Sequence, residues 1–251
     1  MSMREPPSLP SATRTPSPLA PSSAGRLLAK EAAMLCRATS ASGTDVHLLC
    51  WPTVPNAWAS LTRSLVPMLT TTSRSAAATM RLSWVHTCSP QLGDLFQDSQ
   101  AGESTIAALL ARTPFQTVIH LTQSIGKETR APAQWQGLST CLEAYGDALA
   151  RERRQPATEL LVAKDVSIPD EPDLAAYHRR HADQAWLASL PMTMDDGLTS
   201  PMPLEAFRVA AAAIARFNDA PESSHPIFKA VLPKLVNPPT HWRMLLRTKR
   251  R

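Results

Sequence analysis

The chain has 251 residues, of which 43% are hydrophobic, so it is long enough for one extended domain or for two small ones with a core. It contains 23 prolines but only 8 glycines, which favours stiff, irregular segments over flexible linkers. No apolar run approaches the roughly 20 residues that cross a bilayer. The sequence therefore predicts a soluble or peripheral protein without a membrane span.

The cysteines lie far apart in the sequence, at Cys36, Cys50, Cys88 and Cys141. They form no Cys-x-x-Cys pair, and no secretory signal precedes them. This pattern is typical of buried, reduced thiols in an intracellular compartment, rather than of a disulfide framework or a zinc ribbon.

The net charge of +5 is concentrated near the C-terminal end. From Ser223 onward there are seven basic residues and no acidic one, which exceeds the surplus of the whole chain. A basic terminal segment of this kind is better explained by a polyanionic partner, or by simple solvation, than by a requirement of the fold.

Residues 1–25 consist largely of proline, serine, threonine and alanine, and they hold too few apolar side chains to offset their ordering entropy. We expect them to be disordered and to be followed by a short helix from Arg26 to Arg37. An acid-poor N-terminus with serine and arginine is also typical of an organellar transit peptide. The run that begins at Met34 has the ordinary composition of the start of such a peptide. Residues 1–45 are accordingly predicted as a disordered tail or as a targeting segment.

Residues 46–170 show the alternation of strands and helices that predicts an α/β domain. Val46 to Trp51 is an apolar run suited to an edge strand, and Ala57 to Leu69 has the apolar spacing of a helix. Met80 to Cys88 alternates apolar and polar residues, which predicts a strand with one face on the core.

Further elements follow in the order helix, strand, helix, strand, over Glu103–Arg112, Phe115–Thr122, Trp135–Leu149 and Glu159–Val166. Together with the strand at Met80–Cys88 they give a βαβαβ order. This order predicts parallel pairing of the three strands through right-handed crossovers.

Residues 171–236 are predicted to form a mainly helical extension. Pro172 can begin a helix that reaches about Leu190, and the apolar stripe from Leu204 to Phe217 predicts another. Between these helices, Asp195-Asp196 lies in a loop of methionine, threonine and glycine without a basic partner in the sequence. We expect this pair to form a solvated turn.

Cys88 is the candidate for a reactive residue. A cysteine at the junction of a first strand and a helix matches the nucleophile position of thioredoxin-like folds, where the helix N-terminus lowers the thiol pKa. However, the run Cys88-Ser-Pro-Gln91 lacks the second cysteine of a redox pair, and the strand parity points the thiol inward. A core cysteine is the main interpretation, and a thiol-dependent thioredoxin-like enzyme is the alternative.

The histidines do not predict a metal site. His178 and His181 share one face of a predicted helix, but no ordered set of further ligands accompanies them. His86 and His120 fall in predicted strands, where core or edge positions are the ordinary interpretation. No P-loop, GxGxxG, GxSxG or HExxH motif occurs, so we predict no catalytic residue, no metal, no cofactor and no small-molecule substrate.

Residues 237–251 form a basic arm that begins with the extended spacer Asn237-Pro-Pro-Thr. Arginine and lysine side chains neutralise phosphates with release of counterions, and an indole can stack on a base. We therefore predict that the arm contacts RNA through Trp242, Arg243, Arg247, Lys249, Arg250 and Arg251. The alternative is a solvated tail that keeps the protein in solution.

Residues 80–170 resemble the thioredoxin-like domain shared by certain mitochondrial ribosomal proteins and a small accessory subunit of respiratory complex I. The resemblance covers about a third of the chain. It rests on Met80-Arg-Leu-Ser-Trp-Val-His-Thr-Cys-Ser-Pro90, Gly93-Asp-Leu-Phe96, a helix closing with Thr113-Pro114 before Val118-Ile-His-Leu121, and a late strand at Thr158–Ser167. The family usually passes from its second strand into a short hairpin, whereas residues 133–152 are predicted to be helical here.

This resemblance implies a small thioredoxin-like βαβαβ core in a non-enzymatic subunit of a mitochondrial ribosome-like ribonucleoprotein. Its partners would be ribosomal RNA and neighbouring subunits of a large assembly. The basic arm favours this interpretation over an accessory assembly subunit of complex I. A helical adaptor that binds no nucleic acid is a further alternative, and a cytoplasmic location is the alternative to a mitochondrial one.

Overall fold

A computed structural model describes residues 19–21, 31–72, 88–89, 92, 99–123, 130–166, 179, 185–195, 200–221, 225–239 and 242. Within these ranges, no helix is long and apolar enough to cross a membrane.

Strands and helices alternate along the described chain. The strands are β1 (Leu19–Pro21), β2 (Ala33–Thr39), β3 (Thr44–Pro52), β4 (Phe115–Gln123), β5 (Leu160–Val162) and β6 (Met192–Met194). The helices are α1 (Ala57–Thr72), α2 (Ser99–Arg112), α3 (Arg130–Glu152), α4 (Ala185–Ser189), α5 (Met202–Asp219) and α6 (Pro226–Val231), the last followed by a 3-10 turn at Leu232–Lys234.

The six described strands form one mixed sheet in the order β1-β6-β5-β2-β3-β4. β2, β3 and β4 are an antiparallel meander, while β5 pairs parallel to β2, β6 parallel to β5, and β1 parallel to β6. The predicted α/β class is confirmed. The parallel pairing predicted for the strand now labelled β4 is not found among the described strands, where β4 pairs antiparallel with β3.

The β2–β3 hairpin is the centre of the sheet, and its first strand was not expected. Ala33–Cys36 and Val46–Trp51 are at most 2% exposed. The helix predicted from Arg26 to Arg37 is wrong from Ala33 onward, because a continuous apolar run suits a strand that is covered on both faces. The domain boundary predicted at residue 45 falls inside this hairpin, and β3 is an interior strand rather than an edge strand.

Helices α3 and α5 cover opposite faces of the hairpin. On one face, the Trp51 and Tyr145 rings lie 4.8 Å apart, which places α3 against β3. On the other face, the Cys36 thiol donates to the carbonyl oxygen of Leu204 at 3.8 Å, which places α5 against β2. Successive residues of the hairpin therefore face α3 and α5 in turn, so that residues on both faces are buried.

Helix α5 is part of the core, so residues 202–219 do not lie in an extension outside the α/β domain. Most of its residues are buried, and Phe207 packs edge-on against Trp58 of α1 and Phe115 of β4, with ring centroids 5.2 and 5.0 Å away. The Trp58 indole also donates to the carbonyl oxygen of Ala32 at 2.7 Å. These contacts join α1, α5, β4 and the residue before β2 in one cluster.

The other predicted elements are placed as follows. Four expected helices and two expected strands are found, with shifted boundaries. The helices were expected over 57–69, 103–112, 135–149 and 204–217, and the strands over 115–122 and 159–166. The helix expected over 172–190 is described only at Arg179 and in its last turn, as α4. His178 and His181 lie outside the described residues.

The strand predicted at Met80–Cys88 lies almost entirely outside the described residues, as does His86. Cys88 is described, and its backbone is helical rather than extended. Asp195 is not solvated as predicted: it is 4% exposed and accepts a hydrogen bond from the Ser200 hydroxyl at 2.6 Å. Asp195 directly follows β6, a strand that the sequence did not predict, and it is buried at the end of that strand.

We expect Gly137→Ala to destabilise the protein, because an added Cβ would lie 2.3 Å from the imidazole of His47. Overpacking of this kind costs about 1–3 kcal/mol of unfolding free energy. In a His47→Ala background the same change should be neutral or stabilising, since alanine favours a helix over glycine by about 1 kcal/mol. Urea denaturation of the four chains measures this, and an equal loss in both backgrounds would contradict the contact.

Candidate functional site

An ion-pair cluster lies at the carboxyl ends of β2 and β5, the edge of a parallel sheet where ligands commonly bind. The Arg37 guanidinium lies 2.8 Å from the Asp45 carboxylate, and these side chains are 8% and 1% exposed. Arg37 also donates to the carbonyl oxygen of Asp165 at 3.3 Å, and the Thr39 hydroxyl donates to Asp45 at 2.6 Å. The pair thus ties both strands of the hairpin to the end of β5.

Helix α5 completes the cluster with two charged residues of its first turns. Arg208 lies 3.0 Å from the Glu205 carboxylate and 3.8 Å from that of Asp165. Glu205 is 2% exposed, and its second carboxylate oxygen has no hydrogen-bond partner. Burial raises the pKa of Asp165, and the nearby Arg208 guanidinium opposes that shift.

These charges are arranged to neutralise one another. Two guanidiniums face three carboxylates, so the cluster does not have the positive charge that would bind an anion. Within the described residues, no group of three or more histidine, cysteine, aspartate or glutamate side chains could hold a metal ion. Removal of a buried partner would leave an uncompensated charge, so the observable role of the cluster is to hold the hairpin, β5 and α5 together.

Burial disfavours the thiolate form of the four cysteines. Burial raises the pKa of Cys88 to about 11 and that of Cys50 to about 12, and it also raises the pKa values of Cys36 and Cys141. A raised pKa lowers the fraction of reactive thiolate at neutral pH. Cys88 is half-buried against the core, which agrees with the interpretation as a packing residue and disfavours the thiol-dependent enzyme.

His47 is a buried neutral histidine. It is fully buried beside α3, and burial lowers its pKa to about 4. Its register partner across the β3–β4 pair is His120, whose pKa burial also lowers. Both histidines therefore act as packing groups at neutral pH, in agreement with the expectation for His120.

Trp242 lies in an aromatic box and is not free to stack on a base. The indole is 2% exposed and packs edge-on against Phe217 and Phe228, with ring centroids 5.7 and 5.2 Å away. The two phenylalanine rings are themselves stacked at 3.7 Å. The predicted RNA contact of Trp242 is therefore wrong, because the indole fills a gap between α5 and α6. Arg243, Arg247, Lys249, Arg250 and Arg251 lie outside the described residues.

The start of the basic arm is bound to the edge strand β4. The side chain of Asn237 accepts from the backbone N–H of Ile119 and donates to its carbonyl oxygen, each at 2.9 Å. Thr117 forms a parallel bridge with Leu235, and the Val236 N–H donates to the Thr117 carbonyl oxygen at 3.0 Å. This segment covers part of an edge that would otherwise expose unpaired backbone groups.

The residues of the ion-pair cluster were not recognised from the sequence, although each carries a faint signal. Arg37, Asp45 and Glu205 are single charged residues next to or inside apolar runs. A charge in such a place is buried only when it is paired, so each predicts a partner. The identity of that partner depends on the sheet order, which places residues more than a hundred positions apart side by side.

Asp45→Asn should lower the free energy of unfolding by about 3 kcal/mol, because it leaves the buried Arg37 charge without its counter-charge. Glu152→Gln is the matched control, since the Arg154–Glu152 pair at 3.3 Å is about one third exposed. Its loss should be below about 1 kcal/mol. Urea denaturation distinguishes the two, and equal losses would show that the Arg37–Asp45 pair has no special structural role.

Comparisons with known proteins give no family. No protein-family model matches the chain, and no curated protein matches it. Among solved structures, the chain is similar to one chain of the complex between PCNA and RNase HII from Archaeoglobus fulgidus. The identity is 12%, the match covers 86% of this chain and 87% of that chain, and the TM-score is 0.36. A TM-score of this size shows neither a shared fold nor a shared function.

Proposed function

We propose that the protein is a non-enzymatic, RNA-contacting subunit of a mitochondrial ribosome-like ribonucleoprotein, in which the α/β body presents the basic arm. The observation that carries this proposal is the double attachment of the start of the arm. Asn237 binds the β4 edge, and Trp242 fills the aromatic box five residues later. The chain is therefore attached at two points shortly before Arg243, where the cations of the arm begin in the sequence.

Attachment of the chain at Asn237 and Trp242 would favour binding of RNA by the basic arm. Segments that become ordered on binding lose conformational entropy, and prior attachment to a rigid body reduces that loss. Five cations occur within the nine residues Arg243–Arg251, without an acidic residue. Such a segment supplies phosphate contacts that do not depend on sequence, as suits a subunit held on folded RNA.

The charge of the body near this point is compatible with the proposal. Arg216 directly precedes Phe217, Lys229 directly follows Phe228, and both basic residues are exposed. They lie next to the aromatic box that holds Trp242. A polyanion bound to the arm would also be attracted to these two cations.

The features of the body favour a structural role over a catalytic one. The carboxylates at the ligand-binding edge of the sheet are paired with guanidiniums, and the thiol pKa values are raised. A thioredoxin-like core is part of this proposal, as is the mitochondrial location. A complex I assembly subunit or a helical adaptor shares the structural role, but neither requires the arm to bind RNA.

The test is RNA affinity as a function of salt for the full chain and for a chain that ends at Trp242, which keeps the aromatic box. For single-stranded RNA, five phosphate contacts give a slope of log affinity against log salt of about −3.5. We expect removal of the arm after Trp242 to abolish most of that slope. Fluorescence anisotropy with a labelled RNA at several salt concentrations measures it.

A matched variant separates the arm from overall charge. Replacement of five exposed basic residues elsewhere, Arg63, Arg112, Arg151, Arg153 and Lys164, by glutamine removes the same charge from the body. This variant should retain most of the slope, because long-range attraction is weaker than direct phosphate contact. If both variants lose the slope equally, or if the truncated chain binds as the full chain does, the proposal is wrong.

A further inference from the structure

The turn between β2 and β3 is attached to the last residue of α5. We call this turn the hairpin tip and define it as residues 40–44, from the end of β2 to the start of β3. The Asp219 carboxylate accepts hydrogen bonds from the backbone N–H of Ala41 at 2.6 Å and from the Ser42 hydroxyl at 2.5 Å. The Ser42 N–H lies 3.4 Å from the same carboxylate. The hairpin tip thus supplies a set of donors that holds the end of α5.

Ser42 carries the accessible hydroxyl of the hairpin tip. The residue is exposed, whereas Ser40 and Thr44 are only 8% and 4% exposed. The Ser42 hydroxyl lies 2.8 Å from that of Ser40, which accepts from the Thr44 N–H at 3.0 Å. Gly43, with a φ of 82°, provides the left-handed conformation that this tight turn requires. Exposed loop tips of small polar residues are the parts of a fold that the active site of another enzyme reaches most readily.

Asp219 lies at the end of α5, where a negative charge is intrinsically unfavourable. The C-terminal end of a helix carries a partial negative charge, so a carboxylate there destabilises the last turn. The hairpin tip compensates for this. Partial burial would raise the pKa of Asp219, but hydrogen bonds from Ser42, Ser40 and the backbone of the tip outweigh burial and hold that pKa below its usual range. Asp219 therefore stabilises the end of α5 only while the hairpin tip donates to it.

The last turn of α5 is also part of the aromatic box that holds Trp242. Phe217 lies two residues before Asp219, and its ring packs edge-on against Trp242 with the centroids 5.7 Å apart. The same turn is closed by the N–H of Ala220, which donates to the carbonyl oxygen of Arg216 at 3.0 Å. A change in the contacts of Asp219 therefore acts on the helical turn that positions the Phe217 ring.

A phosphate on Ser42 would turn this attraction into repulsion. Phosphorylation removes the hydroxyl proton that Asp219 accepts, and it adds a charge of about −1.5 to −2 beside the carboxylate. The phosphate oxygens are strong acceptors, so they would also compete with Asp219 for the N–H of Ala41. Without these donors, the carboxylate at the end of α5 would be left with its unfavourable interaction with the helix dipole.

We propose that Ser42 is a phosphorylation site, and that its modification releases the end of α5 from the hairpin tip and loosens the packing of Trp242. A protein kinase transfers the γ-phosphoryl group of ATP to the Ser42 Oγ. The new O–P bond forms as the bond to the β-phosphate oxygen breaks, ADP leaves, and the hydroxyl proton passes to the catalytic base of the kinase. The consequence for the basic arm rests on the proposed function, since Trp242 is one of the two points that attach the arm.

The structural effect is tested by amide hydrogen exchange of the full chain with phosphoserine incorporated at position 42. The two readouts are the N–H of Ala220, which donates to Arg216, and the N–H of Trp242, which donates to the carbonyl oxygen of Pro239 at 3.0 Å. Both should exchange about tenfold faster than in the unmodified chain, because hydrogen bonds to a charged group are lost. No RNA is present, so the result is independent of whether the basic arm binds RNA.

Three variants separate repulsion from other effects. In a D219N background the phosphate on Ser42 should add little to the exchange rates, because the carboxamide has no charge to repel it. S42A keeps the backbone donors and adds no charge, so it should raise the rates less than phosphorylation does. Phosphoserine at position 60 is the matched charge control. Ser60 is exposed on α1, so its phosphate should leave the exchange of Ala220 and Trp242 unchanged.

Use of the site is tested by incubating the full chain with ATP and an extract of the cells that produce the protein. Mass spectrometry of the tryptic peptide of residues 38–63 should then show phosphate on Ser42. An unmodified peptide, or one modified only at other residues, would overturn the proposal. So would exchange rates at Ala220 and Trp242 that stay the same or fall on phosphorylation of Ser42, or that rise equally with phosphoserine at position 60.

Discussion

The structure depends on the burial of both faces of the β2–β3 hairpin. Helix α3 packs on one face and α5 on the other, while β5 and β4 pair with its two strands. The interior of the hairpin is therefore mainly apolar, and its oppositely charged side chains Arg37 and Asp45 form an ion pair. This single requirement explains the continuous apolar runs of β2 and β3, the close approach of Gly137 to the His47 ring, and the ion pair of Arg37 with Asp45.

The same requirement limits where a ligand can bind. The carboxyl ends of β2 and β5 are occupied by guanidiniums and carboxylates that pair with one another and tie α5 to the sheet. The binding surface that we propose lies instead at the periphery. The segment that leads into the basic arm is attached at the β4 edge and at Trp242.

Much of the secondary structure follows from local pattern. The spacing of Leu138, Leu142, Tyr145 and Leu149 predicts α3, and the β-branched run after Phe115 predicts β4, because each element buries one face at its own period. Strand β2 was missed because Ala-Met-Leu-Cys has no alternation when both faces are covered. Strand β6 has only three residues, too few to show any period.

The tertiary pairings could not be predicted in the same way. The pairing of Arg37 with Asp45 follows from the turn between them once β2 is recognised, but the contact of Arg208 with Asp165 requires the sheet order. Trp242 shows the reverse error: an indole within a basic segment suggests base stacking, yet Phe217 and Phe228 provide an apolar box for it. A tryptophan can pack in a core or lie on a polar surface, because it combines a large apolar ring with an N–H donor. Only the fold shows which of these environments the residue has.

If the proposed function is correct, residues 243–251 contact RNA while Trp242 stays packed against Phe217 and Phe228. The most direct measurement is ultraviolet cross-linking of native particles from mitochondria, followed by mass spectrometry of the RNA-linked peptides. RNA-linked peptides from residues 243–251, with Trp242 itself unmodified, are the expected result. RNA-linked peptides found only elsewhere in the chain, or a protein that sediments apart from any RNA-containing particle, would contradict it.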